Sequence, residues 1–198
     1  MQRQLALLDH AQSRWTHGDL LDISVGAVFA TGPRGIVGAG EAGDPAWAAA
    51  VVVRGGAQLA SVAVTGWFGA RYRPGLLALR EGPLLERTVR TLRMRPDVLL
   101  VDATGRDHPR GAGLAIHLGW VLGMPTIGVT DRHLHDPSAS TPIPIRPGVR
   151  PVLVHPGWRT DPETAAAVVR PLLVVRTPAP LREARRLART ARSGPPHP

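Results

Sequence analysis

Apolar residues follow two rhythms along this chain. Leu5, Leu7, Leu8 and Ala11 recur at near-helical spacing and predict an N-terminal helix over residues 2–14, with Gly18 beyond it. The β-branched run LLDISVGAVFA (20–30) predicts a first strand with Asp22 near its start. Residues 31–45 are dense in Gly and read as a loop. AWAAAVVVR and AQLASVAVTGW follow, separated by Gly55-Gly56 alone, which is the length and composition of a two-residue hairpin turn. The first three strands are therefore expected to form an antiparallel meander.

The second half alternates helix and strand. LLALREGPLLERTVRTL has helical patterning, and Pro83 is tolerated best in a first turn, so Glu81 is expected at or just before the helix start. The run Val98-Leu99-Leu100-Val101 reads as a buried strand ending at Asp102. A helix is predicted between Arg110 and Leu122, then a short buried strand PTIGV, and this alternation implies parallel pairing. Residues 131–149 read as a Pro-rich loop, PVLVH as a last, edge strand, and TDPETAAAVVRPLL as a helix capped by Thr160 or Asp161. LREARRLARTAR is helix-like and leads into SGPPHP. The element order is that of an α/β, ribonuclease-H-like mixed sheet, a meander plus parallel strands, covered by helices. One domain over residues 1–192 is expected, with a disordered tail at 193–198.

Composition narrows the class. The chain has 198 residues, 43% of them hydrophobic, and a mean hydropathy of −0.02, values of an ordinary globular domain. No apolar run approaches the roughly eighteen residues a membrane helix needs, and no secretory leader is read, so a cytoplasmic protein without membrane contact is expected. Cysteine is absent, which removes disulfides and thiol catalysis. The formal charge of +9 comes from Arg alone, since the chain has no Lys. Arginine binds phosphate bidentately, so nucleic acid is a natural partner, and much of the excess lies between Arg176 and Arg192.

Four stretches carry a resemblance: LDIS around Asp22, YRPGLLALREGP from Tyr72 to Pro83, DVLLVDATGRDHPRGAGLAIHLGWVLGMPTIGV from Asp97 to Val129, and the weaker VHPGW…RTPAPLREARRLA. Together they resemble endonuclease V, a family that cleaves nucleic acid one nucleotide 3′ to a deaminated base such as inosine. The resemblance implies that Asp22, Glu81 and Asp102 collect Mg²⁺, or Mn²⁺, which takes oxygen ligands and completes its shell with water and phosphate. An alternative alignment places Gly26 where Asp22 stands. Arg71-Tyr72-Arg73-Pro74 matches the family's wedge loop, with Gly75 after it, and Tyr72 is implied to stack on bases beside an extruded nucleotide. His108, in the loop of Gly105 and Arg110, is implied as proton donor, orienting group or phosphate contact. Gly111 and Gly113 are expected to bring backbone N–H groups close to a base or phosphate. His117 reads as a packed residue.

Two departures stand against the resemblance. Thr130-Asp131 replaces the family's Lys after TIGV, and Trp158 replaces its His in the P-G-H turn. Arg132 or Arg159 is a candidate replacement cation. The leading expectation is a monomeric Mg²⁺-dependent endonuclease on inosine-containing DNA or RNA. The alternatives are a nucleic-acid-binding homologue that cuts weakly, and a metal-dependent enzyme turned to another substrate.

Overall fold

A computed structural model of the chain describes residues 1–20, 22–35, 38–132 and 140–194. Among the described residues seven strands form one sheet in the order β3-β2-β1-β4-β5-β7-β6. They are β1 (Val25–Thr31), β2 (Pro45–Arg54), β3 (Ala57–Trp67), β4 (Val98–Val101), β5 (Thr126–Thr130), β6 (Thr141–Ile143) and β7 (Val152–Pro156). The expected meander is present: β1, β2 and β3 pair antiparallel, and Gly55 and Gly56 turn between β2 and β3 at φ 53° and 82°. These positive φ values are what a two-residue hairpin requires and what glycine tolerates. β1, β4 and β5 pair parallel, as the alternation implied.

Helices cover both faces. α2 (Leu77–Arg90) and α3 (Leu114–Leu122) pack on one face through Leu84, Leu85, Leu114 and Leu118 against Val28, Leu99 and Val101. α4 (Pro162–Val169) and α5 (Ala179–Arg192) pack on the other through Ala165, Val168, Leu181 and Ala184 against Ala27, Leu100 and Val154. Alternate residues of β4 thus feed opposite cores, and its uninterrupted apolar run follows from burial on both faces. Truncating Leu99 or Leu100, both fully buried, to Ala is expected to cost about 2–5 kcal/mol. α1 (Gln2–Ala11), shorter than expected, closes a smaller cluster of Leu5, Ala112, Ile116 and Trp158.

Three expectations are corrected. α2 starts at Leu77, so Glu81 lies in its second turn and Pro83 is inside the helix. The Pro83 ring has no N–H and crowds the preceding turn, and Gly69 N donates to the Arg80 carbonyl at 2.8 Å, satisfying an acceptor beside the break. The stretch after Asp131 contains β6, which takes the sheet edge and leaves β7 interior between β5 and β6. The helix after the His108 loop begins at Leu114 rather than near Arg110, with Gly113 as its N-cap. Asp161, one of two expected caps, does cap α4, accepting from Thr164 N at 2.8 Å. The tail expected to be disordered falls partly outside the described residues, at 195–198.

Candidate active site

Two of the three implied acids meet. Asp102 follows β4 directly, at the carboxyl end of the parallel strands, where an open sheet builds its crevice. Glu81 sits on the inner face of α2, one turn from both Leu77 and Leu85. Together with Val28, Phe29 and Leu114 they line a small cavity of ≈ 90 Å³. Burial first, then the Asp102 charge, push the Glu81 carboxyl from 4.5 up to about 8, with Arg80 opposing. Asp102 is held otherwise: its Oδ2 accepts from Arg185 Nη2 of α5 at 2.7 Å.

Asp22 is not part of this group. It lies exposed in the turn before β1, at the end of the sheet where Ser24 binds Asp97. The parallel register sets Val28 opposite Val101, so Phe29 stands level with Asp102. Asp22 is seven residues upstream, roughly 20 Å along the strand. Gly26, the alternative position, pairs with Leu99, and a Cβ there would come within 2.5 Å of Pro96 Cγ. The β1 position beside the acidic pair is thus aromatic, and a strand reading that turned on the LDIS motif could not see it.

The Tyr72 loop borders a larger cavity of ≈ 330 Å³, whose lining includes Tyr72, Gly75, Asp102, His108, Gly113 and Arg132. Tyr72 is 46% exposed, with Arg73 and Pro74 exposed beside it. Gly75, at φ 76°, offers its carbonyl to three donors: Gln2 Nε2 at 3.1 Å, His108 Nε2 at 3.0 Å and Arg110 Nη1 at 3.2 Å. His108 also accepts from Arg110 N at Nδ1, 3.1 Å, which fixes the neutral tautomer, and burial, its largest influence, holds its pKa below the ordinary value. His108 thereby pins the Gly75 turn that follows Tyr72.

The glycines do different work from that expected. Gly111 N donates to His108 O at 2.6 Å and Gly113 N to Gly105 O at 2.9 Å, so neither N–H is free for a ligand. Gly105 is buried, and a Cβ on it would come within 2.0 Å of the Pro156 carbonyl, so its smallness serves strand packing. Trp158, in place of the family's His, is buried 6% exposed beneath α1 and α3. Arg159 is occupied near α1, its Nε donating to Ser13 O at 3.2 Å. His117 packs on Gly82 of α2.

One buried group escaped the sequence reading. His155 Nδ1 lies 2.9 Å from Asp107 Oδ1 and its Nε2 lies 2.7 Å from Thr130 Oγ1. The order Asp-His-Thr resembles a hydrolase triad, but Thr130 Oγ1 donates its proton to Arg132 O at 2.8 Å. The hydroxyl is therefore an acceptor from His155 and a tie to the loop after β5, not a nucleophile awaiting a base.

Two further spaces lie on neighbouring residues. One, of ≈ 300 Å³, shares Asp102 and Thr130 with the Tyr72 cavity and is also lined by Asp131, Arg176 and Arg185. The other, of ≈ 710 Å³, shares Thr177 and Arg185 with that space and is also lined by Arg34, Arg182, Arg186 and Arg189. Arginine, which pairs with phosphate, dominates the charge of both.

The endonuclease V family profile matches residues 36–186, most of the chain. The chain belongs to the endonuclease V family. The match starts after β1, the strand without the acid. The endonuclease V of Geotalea uraniireducens is 40% identical over 137 residues, 59% of this chain and 58% of its own length. That of Roseiflexus castenholzii is 37% identical over 158 residues, covering 67% of this chain and 69% of its own. The crystal structure of the Streptomyces avermitilis endonuclease V superposes with a TM-score of 0.80 at 29% identity, over 96% of this chain and 89% of that one. A Ciona intestinalis endonuclease V, solved with a 24mer DNA containing an inosine followed by a ribo-adenosine, shares the fold at a TM-score of 0.76 and 21% identity, over 96% of this chain and 93% of that one. These relatives are nucleases, which hydrolyse phosphodiester bonds, and the fold expected from the element order is the family's.

The family is metal-dependent in general. Among the described residues no group of three His, Asp or Glu side chains could hold a metal ion. The Glu81–Asp102 pair fits a hard divalent cation as an incomplete set, of the kind that water and substrate phosphate complete. Among the described residues no helix is long and apolar enough to cross a membrane.

Proposed function

We propose that this chain recognises a deaminated base such as inosine in DNA or RNA and hydrolyses the phosphodiester on its 3′ side, using Glu81 and Asp102. The observation that carries this reading is the meeting of these two acids, from α2 and the end of β4, beside a cavity bordered by Tyr72. Tyr72 stacks on a base and fills the gap left by an extruded nucleotide. His108, Arg110 and Gln2 hold the Gly75 turn that aims it. Arg132, at the cavity wall, takes phosphate. Glu81 and Asp102 would hold Mg²⁺ or Mn²⁺ together with the substrate, and the ion would supply Lewis acidity at the scissile phosphate. The inosine-containing DNA held by the Ciona relative supports the substrate class.

The test is incubation of the purified chain with an end-labelled inosine oligonucleotide and Mg²⁺ or Mn²⁺. Nicking on the 3′ side that disappears with Glu81→Ala or Asp102→Ala is expected, and nicking indifferent to both overturns the assignment. Phe29 favours a second reading, in which the chain binds such nucleic acid without cutting it. That reading predicts salt-dependent binding with no nicking under any divalent cation.

A further inference from the structure

Asp102 already has a cation. Arg185 donates from Nη2 to Asp102 Oδ2 at 2.7 Å and from Nη1 to Thr177 Oγ1 at 3.1 Å. Its guanidinium carbon lies 5.4 Å from the Phe29 ring centre, within cation–π range. The residue level with Asp102 on β1 therefore offers a guanidinium a resting place instead of a third carboxylate. A divalent cation approaching Asp102 meets the like charge already paired with that carboxylate.

The second observation lies in the adjoining space of ≈ 300 Å³. Arg176 and Arg185 both line it, and among the described residues Arg185 Nε, Arg176 Nε and Arg176 Nη2 are screened from solvent with no hydrogen-bond partner. Arg176 Nη2 lies 3.7 Å from Asp131 Oδ2, an ion pair too long for a hydrogen bond. Buried donors without acceptors are rare, and two guanidiniums beside one space can turn such donors onto a tetrahedral oxyanion that enters it. The acids paired with Arg185 and Arg176 are Asp102 and Asp131, both in the lining of this space.

We propose that Arg176 and Arg185 form a clamp for a nucleic acid phosphate beside Asp102, and that Arg185 is the resting countercharge of Asp102 until that phosphate arrives. The strand draws the guanidinium onto itself and leaves Asp102 free, so nucleic acid and divalent cation bind cooperatively. This rests on the proposed nuclease reading for the identity of the strand and for the divalent cation at Asp102. Linkage makes the effect reciprocal: the cation must tighten the strand as much as the strand tightens the cation.

The test measures Mn²⁺ binding by loss of its free electron paramagnetic resonance signal, using the full chain with and without an inosine oligonucleotide carrying phosphorothioate linkages. The oligonucleotide is expected to tighten Mn²⁺ on the wild type about ten-fold or more, within the ordinary range of coupling. Arg185→Gln is expected to bind Mn²⁺ tighter than wild type with no oligonucleotide, and to gain little on adding it. Arg185→Lys keeps the charge and stays as weak as wild type. Adding Asp102→Asn to Arg185→Gln removes the gain, which ties it to this carboxylate.

Equal Mn²⁺ affinity for wild type and Arg185→Gln overturns the proposal, as does absence of binding by both. Inorganic phosphate in place of the oligonucleotide is expected to produce no such coupling; full coupling would make the ligand a free anion and overturn the strand assignment. Circular dichroism checks folding, and if Arg185→Gln fails to fold, Thr177→Val loosens the same guanidinium and is expected to give a smaller gain in Mn²⁺ affinity. A chain that never nicks inosine oligonucleotides, yet gains Mn²⁺ affinity with Arg185→Gln, keeps the countercharge and loses the nuclease reading.

Discussion

Glu81 should make the chain less stable as pH rises, and replacing it with Gln should remove that dependence. Burial among Leu77, Leu85 and Leu114 and the nearby Asp102 raise the folded-state carboxyl from 4.5 to about 8. Below pH 4.5 both folded and unfolded chains carry the proton, and the group contributes nothing to the balance. Between 4.5 and 8 the unfolded chain releases the proton while the folded chain keeps it, so stability falls with rising pH and levels off above 8. At about 1.4 kcal/mol for each tenfold change in proton affinity, the full displacement corresponds to roughly 5 kcal/mol. The side chain keeps partial access to solvent, so about half of this, roughly 2–3 kcal/mol, is the expected effect. Urea denaturation of wild type and Glu81→Gln in EDTA, at pH 5 and pH 8.5, measures it. The variant should gain on wild type by that amount between the two pH values, and groups shared by both proteins cancel. A difference that does not change with pH would refute the assignment of burial and the Asp102 charge as the causes.

Other perturbations have separate outcomes. Tyr72→Ala should weaken binding of an inosine oligonucleotide by about 1–3 kcal/mol, the worth of one base stack, and change the melting temperature little because the side chain is about half exposed and outside the buried core. Arg182→Ala with Arg189→Ala, in the lining of the ≈ 710 Å³ space, should lower affinity for all oligonucleotides and reduce the salt slope by roughly one for each phosphate no longer neutralised, read by fluorescence anisotropy at several salt concentrations. Phe29→Asp puts a carboxylate level with Asp102, so calorimetry should show tighter Mn²⁺ binding by the free chain, while half-burial of the aromatic ring limits the stability loss to about 3 kcal/mol or less. Asp161→Ala removes the cap on Thr164 N and should cost about 1 kcal/mol in thermal or urea unfolding.

The sheet was legible where local chemistry decides it. Gly55-Gly56 between two apolar runs dictates a hairpin, and a four-residue apolar run followed by Asp102 dictates a buried strand with an acid at its mouth. Expectation failed where tertiary contacts override local preference. Pro83 reads as a boundary because its missing N–H disfavours helix interiors, yet Gly69 from the loop after β3 supplies a donor at the disturbed turn. Asp22 stands in a short motif, whereas the acid position is set by strand register, which puts Phe29 beside Asp102. Arg185 and His155 had no local signal, since their partners Asp102 and Asp107 lie far away in sequence. Absence of the family's Lys signalled a missing cation at the phosphate; of the two candidates, Arg132 lines the Tyr72 cavity and Arg159 is tied near α1, while the guanidinium on Asp102, from α5, had no signal in the sequence.

A crystal of the chain with an inosine oligonucleotide, grown with Mn²⁺ and measured at the manganese edge, interrogates the acidic pair itself. Anomalous density bridging Glu81 and Asp102 is expected, with the inosine in the cavity behind Tyr72 and Arg185 turned from Asp102 onto a phosphate. Density remote from both carboxylates, or an inosine still stacked in its strand away from Tyr72, would contradict the two-acid site.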